Sequence, residues 1–257
     1  MLGMENAPLL SELAIILAAI ALGSFIKGVT GSGLPQIAVP VIAIFLGVER
    51  AVVIMAIPGV LTNTWMMWDH RASAPETRDL PVLLVTGTVG AVIGTLGLTV
   101  LDPAILSLAL ASMGALYVTL YLVKVEVRLP PRVTRIASPP LGLFAGLMQG
   151  STGVSGPLLT TYLAAYRLPR GPFIFSLVTL FNIFAVAQVV ALFGVGLYTP
   201  TRIIESLLAL IPMAIMLPLG ARYSARLSQH RFDLYLVLLI AGSVLVLVQS
   251  GISGLLR

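Results

Sequence analysis

The chain has 257 residues, of which 58% are hydrophobic and only 10% charged, with a mean hydropathy of +1.04. So few charges exclude a soluble globular surface, which would carry roughly a quarter charged residues, and the absence of cysteine excludes disulfides, thiolate metal sites and cysteine nucleophiles. The net charge of +5 and pI near 9.9 would suit nucleic acid; in a chain this apolar the excess is read instead as the loop bias of a membrane protein, with the lipid bilayer and not a nucleic acid as its partner.

Ten apolar segments are legible in chain order. The first half holds Leu9–Ile26, Gly33–Leu46, Ala51–Trp68, Leu80–Leu101 and Pro103–Val123. The second holds Ile136–Gln149, Gly156–Ala165, Gly171–Tyr198, Ile203–Tyr223 and Leu234–Ile252. The first run follows Glu5 rather than a basic region, and no small-x-small site ends it, so it is expected to be a membrane segment and not a signal peptide. Between the halves lies KVEVRLPPRVTR, the most basic and least apolar stretch. The expected organisation is an all-α membrane protein with a first repeat over 1–123, a basic cytoplasmic linker over 124–135 and a second repeat over 136–257. Gly33–Leu46, Ile136–Gln149 and Gly156–Ala165 fall short of the ~20 residues of a straight span, which predicts half-helices or re-entrant hairpins.

The two halves share a glycine/proline-broken segment. It reads GSFIKGVTGSGLPQIAVP from Gly23 and GLFAGLMQGSTGVSGPLL from Gly142, and at one constant offset Gly28 falls on Gly150, Gly31 on Gly153 and Pro35 on Pro157. The likeness continues with drift: Val48-Glu49-Arg50-Ala51 resembles Leu168-Pro169-Arg170-Gly171, and Leu61-Thr62-Asn63 resembles Leu180-Phe181-Asn182. An odd number of crossings per half predicts inverted-topology repeats, and paired breaks in two hydrophobic halves point to a transporter's binding site. Of the 15 Lys and Arg, an alternating path puts all but Arg50, Arg202 and Arg257 on one side. That side is read as cytoplasmic, with both termini outside the cytoplasm and the chain in the inner membrane.

Each break ends in residues that start helices, Ser32-Gly33-Leu34-Pro35 and Ser155-Gly156-Pro157. Serine or glycine suits an N-cap, and proline suits the first turn because it has no N–H to orphan there. Two helix starts would then present unpaired N–H groups and partial positive charge to one site, a setting for a small anion. Thr30, Gly31, Ser32, Gly33, Thr152, Gly153 and Ser155 are the candidates there, whereas Gly142-x-x-x-Gly146-x-x-x-Gly150 is of the kind that packs helices. Pro40 cannot donate to the carbonyl of Gln36, which frees a polar group beside the site. Lys27 is the one cation well inside an apolar segment, and either pairs with an anionic substrate or snorkels to the interface. Gln36, Asn63, Gln149 and Asn182 complete the candidates, the two asparagines because they coincide in the repeat; Gln188 is also polar within an apolar run.

No acidic residue lies convincingly mid-membrane. A carboxylate relay is therefore not expected, and proton coupling would use a weakly acidic substrate or Glu205. Gly153-Val154-Ser155-Gly156 matches a serine-protease motif, but His70 and His230 fall in polar stretches and supply no buried base. No catalytic residue, metal or cofactor is expected.

The motifs resemble the sulfite exporter TauE/SafE family of anion permeases, whose glycine-rich stretch occurs once in each half. Here it stands as Gly23-Ser-Phe-Ile-Lys-Gly28-Val-Thr-Gly31-Ser-Gly33-Leu-Pro35 and as Gly142-Leu-Phe-Ala-Gly146 through Gly150-Ser-Thr-Gly153-Val-Ser-Gly156-Pro157. The chain departs from the family at Gly33-Leu34-Pro35 and Ser155-Gly156-Pro157, where a triple glycine is eroded, and at Lys27 and Gln149, where apolar or small residues are usual. The resemblance implies a permease for sulfite, an organosulfonate or another organic anion. An anion channel using the same helix starts, and an assembly scaffold, are the alternatives. Direction, coupling ion and oligomeric state are left open, a homodimer being one candidate.

Overall fold

A computed structural model describes residues 6–30, 33–72, 79–123, 128–223 and 229–256; the side chains of residues 6–9, 30 and 229–235 are outside that description. Among the described residues there are eleven helices and no strand. In the first half they are α1 (Asn6–Thr30), α2 (Leu34–Leu46), α3 (Val48–Asp69), α4 (Leu80–Val100) and α5 (Pro103–Val123). In the second they are α6 (Pro131–Thr152), α7 (Gly156–Ala164), α8 (Arg170–Gly194), α9 (Pro200–Leu208), α10 (Leu210–Tyr223) and α11 (Gln229–Leu255). Seven helical stretches are long and apolar enough to cross a bilayer, with α9 and α10 counting as one of 24 residues, so the chain is a multi-pass membrane protein.

All ten predicted segments are helical, but two begin more than a turn before their apolar runs. The expectation of a short Ile136–Gln149 is corrected: α6 has 22 residues and takes in residues 131–135 of the basic stretch. Its first turns are polar and exposed at Arg132 and Arg135, so hydropathy alone cut it short. Likewise α11 starts at Gln229, which puts His230 in a helix and not a loop. With α9 and α10 taken as one stretch, only α2, with 13 residues, and α7, with 9, are short among the described residues. In each half, then, a long helix is followed by a break and a short one.

The first helix of each half packs on the fourth segment of the other, α1 on α10 and α6 on α4. In lipid, apolar side chains gain little by meeting each other, so tight backbone approach decides which helices associate. Glycines permit that approach here. A Cβ at Gly146 would strike the Gly87 carbonyl, and one at Gly150 the Ala91 carbonyl; Gly90 and Gly94 are equally tight against Leu143 and Leu147. On the other pair, Gly28 meets Leu217 and Ala221 while Gly220 meets the Phe25 carbonyl. The predicted packing role of the Gly142-Gly146-Gly150 run is what the structure gives. Each short helix has its own apolar core: α2 packs with Ile16, Ile20, Val53 and Leu110, and α7 with Leu83, Leu180 and Phe184. Val100, Ile136 and Leu245 point outward with 72–80% of their surface exposed, as lipid-facing side chains do.

The molecule has two distinct ends. At one, the Tyr198 hydroxyl donates to the Val53 carbonyl at 3.1 Å, so α8 finishes where α3 begins. There Arg50 pairs with Glu12 at 2.8 Å and with Glu205, and Arg202 pairs with Glu49 at 2.7 Å, tying α1, α3 and α9 together. Glu205, placed by the sequence about one turn inside its segment, is buried. At the other end Tyr166 donates to Asp79 Oδ2 at 2.8 Å, and Tyr162 donates to the Thr134 carbonyl at 2.9 Å while accepting from Ser138. Burial pushes the Tyr166 phenol above its ordinary range and keeps it a donor.

These contacts set two expectations for thermal unfolding in detergent. Gly146→Ala forces a methyl into the Gly87 backbone and should destabilise by about 1–3 kcal/mol, whereas Gly242→Ala, with nothing within 4 Å of its added methyl, should be neutral or stabilising. Arg50→Met should cost about 3 kcal/mol because it strands Glu205 in a buried position, and adding Glu205→Leu to it should recover much of that loss.

Candidate functional site

Both breaks open on one cavity of about 520 Å³, within the size of small-molecule sites. Gly33 through Gln36 at the start of α2 line it, as do Gly153 through Gly156 at the start of α7. The chain reverses at Gly33 (φ 104°) and Gly153 (φ 70°), left-handed positions that glycine occupies without strain. Prolines occupy the first turns as predicted. The capping differs from expectation. The N-cap of α2 is Gly33, not Ser32, and neither short helix has a side-chain cap bond. Ser155 holds the N-cap position of α7 but turns its hydroxyl to Gln149 Oε1 at 2.8 Å. Gly31 and Ser32 lie outside the described residues, as does the side chain of Thr30. Thr152 is buried and does not line the cavity; its hydroxyl bonds the Met148 carbonyl at 2.6 Å, closing the end of α6.

Lys27 does not snorkel. It is 6% exposed, faces the cavity from α1, and donates to Asn63 Oδ1 of α3 at 3.2 Å. Among the described residues no carboxylate pairs with it, and no acidic side chain lines the cavity. An ammonium has three donors and no acceptor, so one bond to Asn63 leaves donors for a ligand. Arg170 at the start of α8 is the other cation of the lining and is exposed, marking the mouth.

Gln149, on α6, occupies the position matching Lys27 and is engaged differently. Its Oε1 accepts from Ser155 and its Nε2 donates to Gln188 Oε1 at 3.3 Å. Gln188 Nε2 in turn donates to the carbonyls of Gln149 and Gly150 at 2.8 and 3.1 Å, satisfying carbonyls left over where α6 ends. The cavity thus has a cationic pole, Lys27 with Asn63, and an amide pole, Gln149 with Gln188 and Ser155. Apolar side chains, among them Met66, Phe173, Leu177 and Phe181, make up much of the remaining lining.

The predicted asparagine pair is not brought together in the cavity. Asn63 lines it; Asn182 does not, and accepts instead from Thr64 at 3.1 Å across the α3–α8 contact. The reason is register. On α3 the lining runs Val52, Met55, Ala56, Gly59, Thr62, Asn63 and Met66. The offset that places Gly28 on Gly150 carries all of these but Thr62 onto lining residues, Ile174, Leu177, Val178, Phe181, Ala185 and Gln188; Thr62 falls on Phe184, which is outside the lining. Six lining positions of α3 and α8 therefore share the glycine offset, and the local Leu-x-Asn likeness is out of step with it. In position, Asn63 matches Ala185 and Met66 matches Gln188. Gln188 and Arg170, not counted among the predicted site residues, were findable from that stripe at helical spacing.

A model of the sulfite exporter TauE/SafE family matches residues 15–247, a span that contains both breaks and every lining residue of the cavity. No curated protein and no solved structure gives a match. Since the family match covers most of both halves, the chain belongs to the sulfite exporter TauE/SafE family, a family of membrane transporters.

Proposed function

We propose that the chain is a secondary transporter of a small sulfur-containing anion, sulfite or an organosulfonate, and is not an enzyme. The observation that carries this reading is Lys27, a buried cation facing a cavity with no acidic lining. A charge left at depth without a carboxylate is costly, and an anionic ligand offsets that cost. The family supplies the sulfur. The helix starts at Gly33 and Ser155, without side-chain caps, add favourable dipoles on the same cavity.

We infer further that the halves are inverted repeats. The support is the reciprocal packing of α1 on α10 and α6 on α4, together with a lining that repeats at one offset. Rocking one half against the other would then expose the cavity alternately to the two sides. The Arg50 end is closed by ion pairs and the cavity opens beside Arg170. By the distribution of basic residues the mouth faces the cytoplasm of an inner membrane, with both termini on the far side. Any coupled proton would travel on the substrate or involve Glu205.

Proteoliposomes should show saturable uptake of labelled sulfite or a short sulfonate, with counterflow exchange; uptake without counterflow would indicate a channel, and no uptake of any such anion would sink the proposal. Lys27→Met should lower transport efficiency about 10- to 100-fold while the protein stays monodisperse. Asn63→Leu should act mainly on substrate affinity, and Asn182→Leu mainly on melting temperature.

A further inference from the structure

The two cations of the cavity lining, Lys27 and Arg170, differ in one chemical respect. A guanidinium keeps its proton in proteins, whereas an ammonium can release one. Arg170 is exposed, while Lys27 is buried on α1 and bonds the neutral Asn63 Oδ1 at 3.2 Å. A carboxylate in the place of Asn63 would hold the side chain as an ammonium. An amide oxygen accepts from an ammonium or from a neutral amine, so Asn63 suits both forms.

Among the described residues, the elements around Lys27 bring it no carboxylate. Its own helix carries Glu12, which is paired with Arg50. α2 has no titratable residue, and the described side chains of α11 have none. α10 carries Arg222 and Tyr223, both exposed. On α3 the titratable groups stand at the ends, Glu49 and Arg50 at one and Asp69 with neighbouring His70 at the other, and none lines the cavity. Glu205 of α9 pairs with Arg50 outside the lining, and Tyr117 of α5 packs against the cluster that holds Ile26. α6 and α7 give the lining uncharged residues only, and α8 gives it Arg170.

A charge at this depth without a countercharge is costly. An anion in the cavity relieves that cost, and so does loss of the proton. The first remedy exists only while the site is loaded. A carrier that alternates between two sides must also return empty, and an ammonium would then cross with no partner.

We propose that Lys27 couples transport to protons: it binds the anion as an ammonium and returns empty as a neutral amine. Nζ takes a proton from water on the side where the anion enters and gives it to water on the side where the anion leaves. Each cycle thus moves one anion with one proton and no net charge. A fixed cation in this place would move one negative charge per cycle instead. The proposal rests on the transporter reading above and adds a third route for a coupled proton, beside the substrate and Glu205.

The test uses methanesulfonate and 2-hydroxyethanesulfonate, strong acids that stay anionic and cannot carry the proton themselves. In proteoliposomes of the full chain, an acid-outside pH gradient with the potential clamped at zero should drive their accumulation, with one proton entering per anion. An inside-positive potential without a pH gradient should drive none. The residue is identified by NMR of the detergent-solubilised chain carrying isotopically labelled lysine, which occurs only at Lys27 and Lys124. Lys124→Arg removes the second signal. Anion and proton strengthen each other's binding by the same factor. Saturating sulfonate should therefore raise the pH at which Lys27 titrates by about one unit or more. Anion affinity should fall about tenfold per pH unit above the titration midpoint of the empty site. Uptake driven by the potential overturns the assignment, and so does a pH gradient that drives no accumulation. A Lys27 titration that ignores the anion also overturns it, and passes any coupled proton to Glu205. Each of these results leaves transport itself intact. If neither sulfonate is taken up under any gradient, the transporter reading fails for this class and the Lys27 assignment falls with it.

Discussion

Close backbone contact between helices of opposite halves is the constraint on which the rest of this molecule depends. A bilayer offers almost no hydrophobic reward for pressing one apolar helix on another. The pairs that do meet tightly, α6 with α4 and α1 with α10, do so where glycines remove the side chains that would hold them apart. Each pair joins an early helix of one half to a late helix of the other. The halves are therefore interlocked and not merely adjacent. The short helices α2 and α7 follow directly from the helices so clamped, and that is why both breaks end at a common cavity.

Within that frame the two halves bring different chemistry to the cavity. Six lining positions of α3 recur on α8 at one offset, yet the residue matching Lys27 is Gln149 and the one matching Asn63 is Ala185. The amide pole spends its hydrogen bonds inside the protein, on Ser155 and on the end of α6. The cationic pole keeps donors in hand. The two poles of the cavity thereby differ in chemistry, one an ammonium with donors to spare and the other amides bonded within the protein.

Much of this was legible in the sequence, and the failures have physical causes. The glycine/proline breaks gave α2 and α7 and their first-turn prolines, because backbone geometry there admits few residues. The packing role of the Gly142 run followed from spacing alone. Hydropathy misjudged α6, whose polar first turns still form helix. Ser155 had the right residue type for a cap, but Gln149 competes for its hydroxyl, and a linear reading has no way to see that competitor. Asn182 was chosen by local likeness to Asn63. Had the glycine offset been carried through, Asn63 would have fallen on Ala185 and the case for Asn182 would have gone. Lys27 was flagged by cost, and the structure resolves the choice between burial and snorkelling in favour of burial.

The two ends of the molecule are fastened by different kinds of force. The Arg50 end is held by formal charges, several of which keep a fifth to a third of their side-chain surface open to solvent. The Arg170 end is held by phenols, a serine hydroxyl and one aspartate. Mobile ions weaken the first kind within a Debye length of about 8 Å in physiological salt and barely touch neutral hydrogen bonds. Rising ionic strength should therefore loosen the Arg50 end more than the end held by Tyr162 and Tyr166.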